Sequence, residues 1–252
     1  MINLLRPGRP AQLHPGFSGT LYLDFLAALA RKRGTRNYLE IGVHFGHALT
    51  RIACDTAVGV DPDYMLQEDV TKEKRRTLLH RSTSDRFFAE TDVRALVGGG
   101  IDLAFLDGLH LFEFLLRDFY NTEAVSDPNG LIVLHDCMPL NLEMTVRDPA
   151  TPRTDPLKAM WTGDVWKIVP ILKAYRPDLD VVLVDCPPTG LVCVTGLDPS
   201  SRVLPERYRE IVRAYRDLPD PAERIAAMYA EVPVVRSADI LNGEDHSLYF
   251  RV

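Results

Sequence analysis

Glu40-Ile41-Gly42-Val43-His44-Phe45-Gly46 decides the reading of this chain, because a short apolar run, Asn37 to Ile41, leads into it and a helical pattern follows. Two glycines in such a turn let the backbone pass close to a ligand with no Cβ in the way. A second apolar run, Ala57-Val58-Gly59-Val60, closes on Asp61. A glycine-containing strand-to-helix turn, with an acid at the end of the next strand, is how doubly wound folds hold a nucleoside and its ribose. The combination predicts an adenosine-type cofactor.

Outward from that core the alternation of strands and helices continues. Leu21, Phe25, Leu26 and Leu29 share one face of a helix expected from Ser18 to about Lys32, with Ser18 as N-cap and Gly34 as stop. A helix through Leu49 and Ile52 is expected between the first two strands, and a third strand near 78–82 that runs into Ser82-Thr83-Ser84-Asp85. Asp102 to Leu106 is apolar almost throughout, as in a strand buried on both faces, and it ends at Asp107-Gly108-Leu109-His110. The helix after it should bury Phe112, Leu115, Leu116 and Phe119 and turn Glu113, Arg117 and Asp118 to solvent. Gly130 to Leu134 is a further buried strand, ending at His135-Asp136. Residues 139–162 read as a long loop of the kind kept for function. An amphipathic helix is expected over Asp164 to Arg176. The apolar runs 180–184 and 191–194 are joined by too few residues for a crossover, so the last strand must be antiparallel to its neighbour. Helices at about 204–217 and 220–230 complete a C-terminal appendage, about 203–252. The expectation is one doubly wound, Rossmann-like α/β domain over 1–252, with an N-terminal helix at about 18–33.

A formal charge of −6 argues against a nucleic-acid backbone as main partner, and the basic run Lys72 to Arg76 reads as a solvated helix face. No apolar run reaches the length of a membrane span. The stretch Met1 to Pro10 lacks the apolar core of a signal peptide. Cys54, Cys137, Cys186 and Cys193 show neither a CxxC pair nor zinc-finger spacing, so reduced thiols in a cytoplasmic protein are expected. Leucine, tyrosine and valine residues near 208–235 fit packing on the same chain or in a homo-oligomer.

In a sheet of this kind the ligand crevice lies at the strand ends. Five successive ends carry polar groups here: Glu40, Asp61, Ser84 with Asp85, Asp107 with His110, and His135 with Asp136. Any one acid can cap a helix, whereas all of them together describe a lined crevice. Glu40 either orients the turn or accepts from a cofactor's ammonium group. Asp61 suits a ribose diol, because a carboxylate takes two hydrogen bonds. Asp107, His135 and Asp136 suit a divalent cation, magnesium, calcium or manganese through oxygen and other metals through imidazole. His110 is a second ligand or a general base. Cys137 reads as packing, and Trp161 and Trp166 as a roof over the sheet, with Trp161 also near enough to the loop to stack on a substrate.

Taken together, Leu39 to Gly46, Gly59-Val60-Asp61, Asp102 to His110 and Leu131 to Asp136 resemble the class I S-adenosylmethionine-dependent methyltransferases. The group most similar is methyltransferase family 24, with the macrocin-type O-methyltransferases beside it, and the resemblance runs from about residue 18 to 196. It implies a seven-stranded sheet with an antiparallel last strand. It also implies that Glu40, Gly42 and Gly46 hold the methionine part and turn, that Asp61 binds ribose, and that Thr83, Ser84 and Asp85 lie by the adenine. Relatives that bind Mg2+ use an acid after the fourth strand and an acidic pair after the fifth, positions that Asp107, His135 and Asp136 occupy. His135 departs from that pattern, and His44 stands where the middle glycine of the first motif is usual.

The activity implied is methyl transfer to a small-molecule acceptor, with His110 as base and Asp107 as its orienting or metal-binding partner. A nicotinamide-dependent oxidoreductase is the first alternative, though it would prefer Gly-x-Gly-x-x-Gly and this chain has only Gly42 and Gly46. The other is a non-catalytic protein that retains the cofactor fold.

Overall fold

The computed structural model describes residues 12–153, 160–243 and 248–251. The stretch 1–11, read above for a leader, lies outside the described residues, as do residues 154–159 of the long loop and 244–247 and 252 of the C-terminal appendage. The first half of the chain forms helix α1 (Tyr22–Arg33), strands β1 (Asn37–Ile41), β2 (Cys54–Asp61) and β3 (Lys74–Arg81), short helices α2 (Ser84–Glu90) and α3 (Val93–Val97), strand β4 (Ile101–Leu106) and helix α4 (Phe112–Val125). The second half forms β5 (Ser126–His135), α5 (Ile168–Tyr175), β6 (Asp180–Val184), β7 (Leu191–Thr195), α6 (Val203–Tyr215), α7 (Pro221–Glu231), β8 (Val234–Val235) and α8 (Ser237–Asn242). These strands make one sheet in the order β3-β2-β1-β4-β5-β7-β6-β8.

The fold is therefore Rossmann-like α/β. Strands β1 to β5 are mutually parallel, and β7 runs antiparallel to both β5 and β6. The antiparallel hairpin follows from the short join, as expected. The sheet has eight strands rather than seven: Val234 and Val235 add a two-residue strand parallel to β6, too short to leave a period in the sequence. Chain order reverses beside β1, whose neighbours are β2 on one side and β4 on the other, so a crevice opens at their carboxyl ends. Two apolar layers cover the sheet. Leu39, Leu106, Phe119 and Trp166 belong to one, and Phe25, Tyr38, Phe105 and Val133 to the other.

Several expected boundaries move. Helix α1 begins at Tyr22 behind Leu21, which gives no side-chain cap, so Ser18 is not the N-cap, while Gly34 stops the helix at φ 63° as expected. The helix expected through Leu49 and Ile52 shrinks to a single 3-10 turn, Leu49–Arg51, because the ligand turn uses up the chain between β1 and β2. Lys74, Arg75 and Arg76 open β3 and are not a helix face; β3 is the outermost strand, and charge on such an edge discourages strand pairing with other chains. Asp118 is buried on α4, not turned to solvent. Among the described residues no helix is long and apolar enough to cross a membrane.

Candidate functional site

The β1–β2 turn is built on backbone conformations that few residues adopt. Gly42 sits at φ 86° and Gly46 at φ 84°, and between them His44 holds φ 44°. His44 thus takes the left-handed conformation that the glycine usual at this position would take at less cost. The strain is matched by a bond: the His44 N–H donates to Asp61 Oδ2 at 2.8 Å. Asp61 Oδ1 accepts from the Asp63 N–H at 2.7 Å, so each carboxylate oxygen holds one backbone donor and keeps a second lone pair for a ligand. The imidazole of His44 is exposed.

Glu40, at the end of β1, is buried, and the Tyr38 hydroxyl donates to its Oε2 at 2.6 Å. Burial pushes the Glu40 carboxyl up to about 8, partly offset by that Tyr38 bond and reinforced by the nearby Asp107 charge. A buried acid in this state becomes fully ionised once a cation reaches it. The sign for stability is fixed: the folded state holds a proton that the unfolded chain releases near 4.5, so Glu40 lowers stability as pH rises from about 5 to 8. Glu40→Gln should therefore flatten the decline in melting temperature of the ligand-free protein over that range. A parallel decline in both proteins would remove Glu40 as a cause.

Asp107, at the end of β4, and Asp136, just past β5, face each other across two imidazoles. His110 Nε2 lies 3.4 Å from Asp107 Oδ1 and 3.2 Å from Asp136 Oδ2. Its Nδ1 lies 2.8 Å from the Trp161 carbonyl oxygen, an acceptor only, which assigns the proton on that side to Nδ1 and leaves Nε2 to face the acids. His135 Nδ1 lies 3.2 Å from the same Asp107 Oδ1, yet off the line of a hydrogen bond, so a buried ring nitrogen is left without a formed partner. Burial disfavours charge on both imidazoles, but the Asp107 and Asp136 carboxylates outweigh it and raise each to about 9. Against its own burial, the two imidazoles hold the Asp107 carboxyl well below the usual carboxylate range. Asp136 adopts φ 58°, a second non-glycine left-handed residue at the site.

These residues share one cavity of about 660 Å3, into which Glu40, Asp61, Asp107, His110, His135 and Asp136 all open. Gly42, His44, Thr83, Ser84 and Asp85 line it too, while Gly46 stands behind the turn against Val70 and Leu66. Thus the structure brings Glu40, Gly42, His44, Asp61, Thr83, Ser84, Asp85, Asp107, His110, His135 and Asp136 to one crevice. Among the described residues the group whose donor atoms come within 4.8 Å of one another is Asp107, His110 and Asp136. His110, which the sequence offered as a second ligand, belongs to this group, and His135 Nδ1 also lies 3.2 Å from Asp107 Oδ1 and 3.6 Å from Asp136 Oδ2.

Tyr22 and Thr189, which also reach the site, left no mark in the sequence. Tyr22, the first residue of α1, stacks on His135 with ring centroids 4.3 Å apart and reaches the same cavity. Thr189, in the β6–β7 hairpin, donates to Asp136 Oδ1 at 2.7 Å. Asp118 lines the cavity from α4. The loop after β5 is pinned to the start of α4: Asp164 Oδ1 accepts from the Phe112 N–H at 3.0 Å, and Arg147 pairs with both Asp164 and Glu113. Trp161 Nε1 donates to the Val146 carbonyl, and its ring lies 5.0 Å from that of His110. Trp166 is buried in the core and roofs the sheet.

A family model described as a methyltransferase domain matches residues 39–137, which run from β1 to just past β5. No curated protein matches the chain. Among solved structures, the chain is similar to the O-methyltransferase TomG of Streptomyces achromogenes, solved with S-adenosylmethionine, at 17% identity and TM-score 0.47, covering 69% of this chain and 78% of that one. It is similar also to a Podospora anserina methyltransferase bound to S-adenosylhomocysteine, at 17% identity and TM-score 0.48 over 70% and 78% of the two chains. An O-methyltransferase from Bacillus cereus, in complex with S-adenosylhomocysteine, is 16% identical with TM-score 0.43 over 69% and 80%.

Proposed function

We propose that the protein methylates a hydroxyl oxygen of a small-molecule acceptor at the expense of S-adenosylmethionine, a reading supported by the match of residues 39–137 to a methyltransferase-domain model. The observation that carries the reading is the single cavity in which Glu40 and Asp61 stand at one end of the turn and Asp107, His110 and Asp136 at the other.

The donor set fits the cofactor. Glu40 is a buried carboxylate for an ammonium group, and Asp61 retains a free lone pair on each oxygen for a ribose diol. Bound there, the cofactor supplies a methyl group carried on a positively charged sulfur. Most of the barrier lowering in such a transfer comes from alignment and from exclusion of water. In the fraction of the protein whose His110 is neutral, Nε2 takes the acceptor's hydroxyl proton while the Trp161 carbonyl holds the Nδ1 side of the ring. That fraction grows as pH rises towards about 9, so turnover should rise with pH over that range. Asp107 and Asp136 orient that imidazole and stabilise its charged form. Tyr22 walls the acceptor side through its stack on His135.

A second reading of the same cluster rests on the convergence of Asp107, His110 and Asp136 donor atoms and on the orphaned His135 Nδ1. Those residues would hold a divalent cation, which lowers the pKa of an acceptor hydroxyl. Two carboxylates with one or two imidazoles suit manganese, zinc or iron better than magnesium, which favours oxygen ligands. A cytoplasmic location is in keeping with four cysteines that are all free.

Calorimetric titration of the dialysed protein with S-adenosylhomocysteine, against NAD as control, tests the cofactor site. Micromolar binding of the homocysteine compound, and none of NAD, is the expected result; preference for NAD would require an oxidoreductase instead. Repeating the titration and the turnover assay after chelation, then with manganese or magnesium restored, tests the cation.

A further inference from the structure

The join between β6 and β7 reaches back to the residues just past β5. Gly190, at φ 70°, lies so close to Met138 that a Cβ there would strike its sulfur, which presses the hairpin onto the chain two residues beyond Asp136. The Pro187 carbonyl accepts from the Tyr22 N–H at 3.2 Å and so holds the first residue of α1. Between these two contacts in the chain stands Thr189, which is 1% exposed.

A threonine hydroxyl has one proton to give and lone pairs to receive another. Thr189 donates its proton to Asp136 Oδ1 at 2.7 Å, and the same oxygen lies 3.4 Å from His135 Nε2. With the proton committed to the carboxylate, the imidazole is the donor in the second contact, which assigns a hydrogen to Nε2. The bonds therefore run from His135 through Thr189 to Asp136. Asp136 has two imidazoles within reach: its Oδ2 lies 3.2 Å from His110 Nε2 and 3.6 Å from His135 Nδ1. Anchoring Oδ1 confines Oδ2 to the side of His110. The anchor also acts on a residue whose backbone is left-handed, at φ 58°.

We propose that Thr189 is a positioning residue for the reacting centre: its hydroxyl aims the Asp136 carboxylate at His110 and fixes the His135 ring with a hydrogen on Nε2. Thr189 does not line the cavity, so it acts on the reaction through those two side chains. Its part in turnover rests on the reading of His110 as the proton acceptor. Two variants separate the hydroxyl from the packing. Thr189→Val keeps the buried volume and removes the donor, whereas Thr189→Ser keeps the donor and removes a methyl group. Thr189→Ala also lacks the hydroxyl and takes the place of Thr189→Val if valine prevents folding.

The first readout needs no acceptor. In protein with nitrogen-labelled histidine, the His135 Nε2–H should give a slowly exchanging magnetic resonance signal in the wild type and in Thr189→Ser, and Thr189→Val should lose it. The second readout is release of S-adenosylhomocysteine with catechol, caffeate and methyl glucoside as probe acceptors. Thr189→Val should turn over about tenfold to a hundredfold more slowly, the scale of a slightly misplaced reacting group. Its dissociation constant for S-adenosylhomocysteine, and the turnover of Thr189→Ser, should both stay within about threefold of the wild type. A signal that survives in Thr189→Val, or wild-type turnover in that variant, overturns the proposal. Equal losses in the valine and serine variants would trace the effect to the packed methyl group and overturn it too. Wild-type protein that binds S-adenosylhomocysteine yet methylates none of the probes counts against the hydroxyl-methylation reading, and the signal then decides the Thr189 contact by itself.

Discussion

Gly42→Ala should cost this protein both stability and the proposed cofactor site. Gly42 lies at φ 86°, where an L side chain is strained by about 1–2 kcal/mol. A Cβ there would collide with the Asp107 carbonyl oxygen and come within 2.8 Å of Gly108 Cα. Both are backbone, so no rotamer change relieves the clash, and overpacking of this kind adds about 1–3 kcal/mol. The Gly42 N–H also donates to the Val60 carbonyl at 2.9 Å, tying the turn to β2. Pushing the turn off β4 therefore displaces Glu40, His44 and Asp107 together. A total of roughly 2–5 kcal/mol corresponds to a fall in melting temperature on the order of 10 °C. Affinity for S-adenosylhomocysteine should drop by more than about tenfold, since one tenfold step needs only about 1.4 kcal/mol. His44→Gly is the control: it relieves a left-handed non-glycine residue and keeps the N–H that Asp61 accepts, so its melting temperature should hold or rise. Unchanged melting and binding in Gly42→Ala would mean that the two backbones are not in contact.

His110→Ala should separate chemistry from binding. Its Nε2 stands between Asp107 and Asp136, while Glu40 and Asp61, the expected cofactor contacts, are left untouched. Turnover should fall about 10²- to 10⁴-fold, the usual contribution of a positioned proton acceptor. The dissociation constant of S-adenosylhomocysteine should stay within about threefold. Partial recovery with free imidazole would favour a base over a purely metal-binding role. An equal loss of turnover and binding would sink the assignment of His110 to proton transfer.

The sheet and its crevice were legible in the sequence for a simple reason. The buried parts of β2, β4 and the second half of β5 are apolar on both faces and stop at or just before a polar residue. Strand β1 carries Glu40 one residue before its end, so these runs announced the strand ends and the site residues there. What was illegible came from packing between distant segments. Asp118 reads as a solvent-facing acid on α4, because nothing in a single helix shows that α2 will cover that face. Tyr22 and Thr189 enter the site through contacts 113 and 53 residues away along the chain, and neither belongs to a local pattern. Edge strand β3 has a half-exposed surface, so its charged start lacked the alternation of a buried strand. Strand β8 is only two residues long.

The match to the methyltransferase domain begins at residue 39 and stops at 137, but the crevice does not respect those limits. Tyr22 stacks on His135 from before it, and Trp161 and Thr189 grip His110 and Asp136 from beyond it. On the proposed function, substitutions in these outlying segments would reshape what the crevice accepts while Glu40, Asp61 and Asp107 keep their places. An evolving lineage, or a protein engineer, would find in them a way to new acceptors that leaves the inherited machinery unedited.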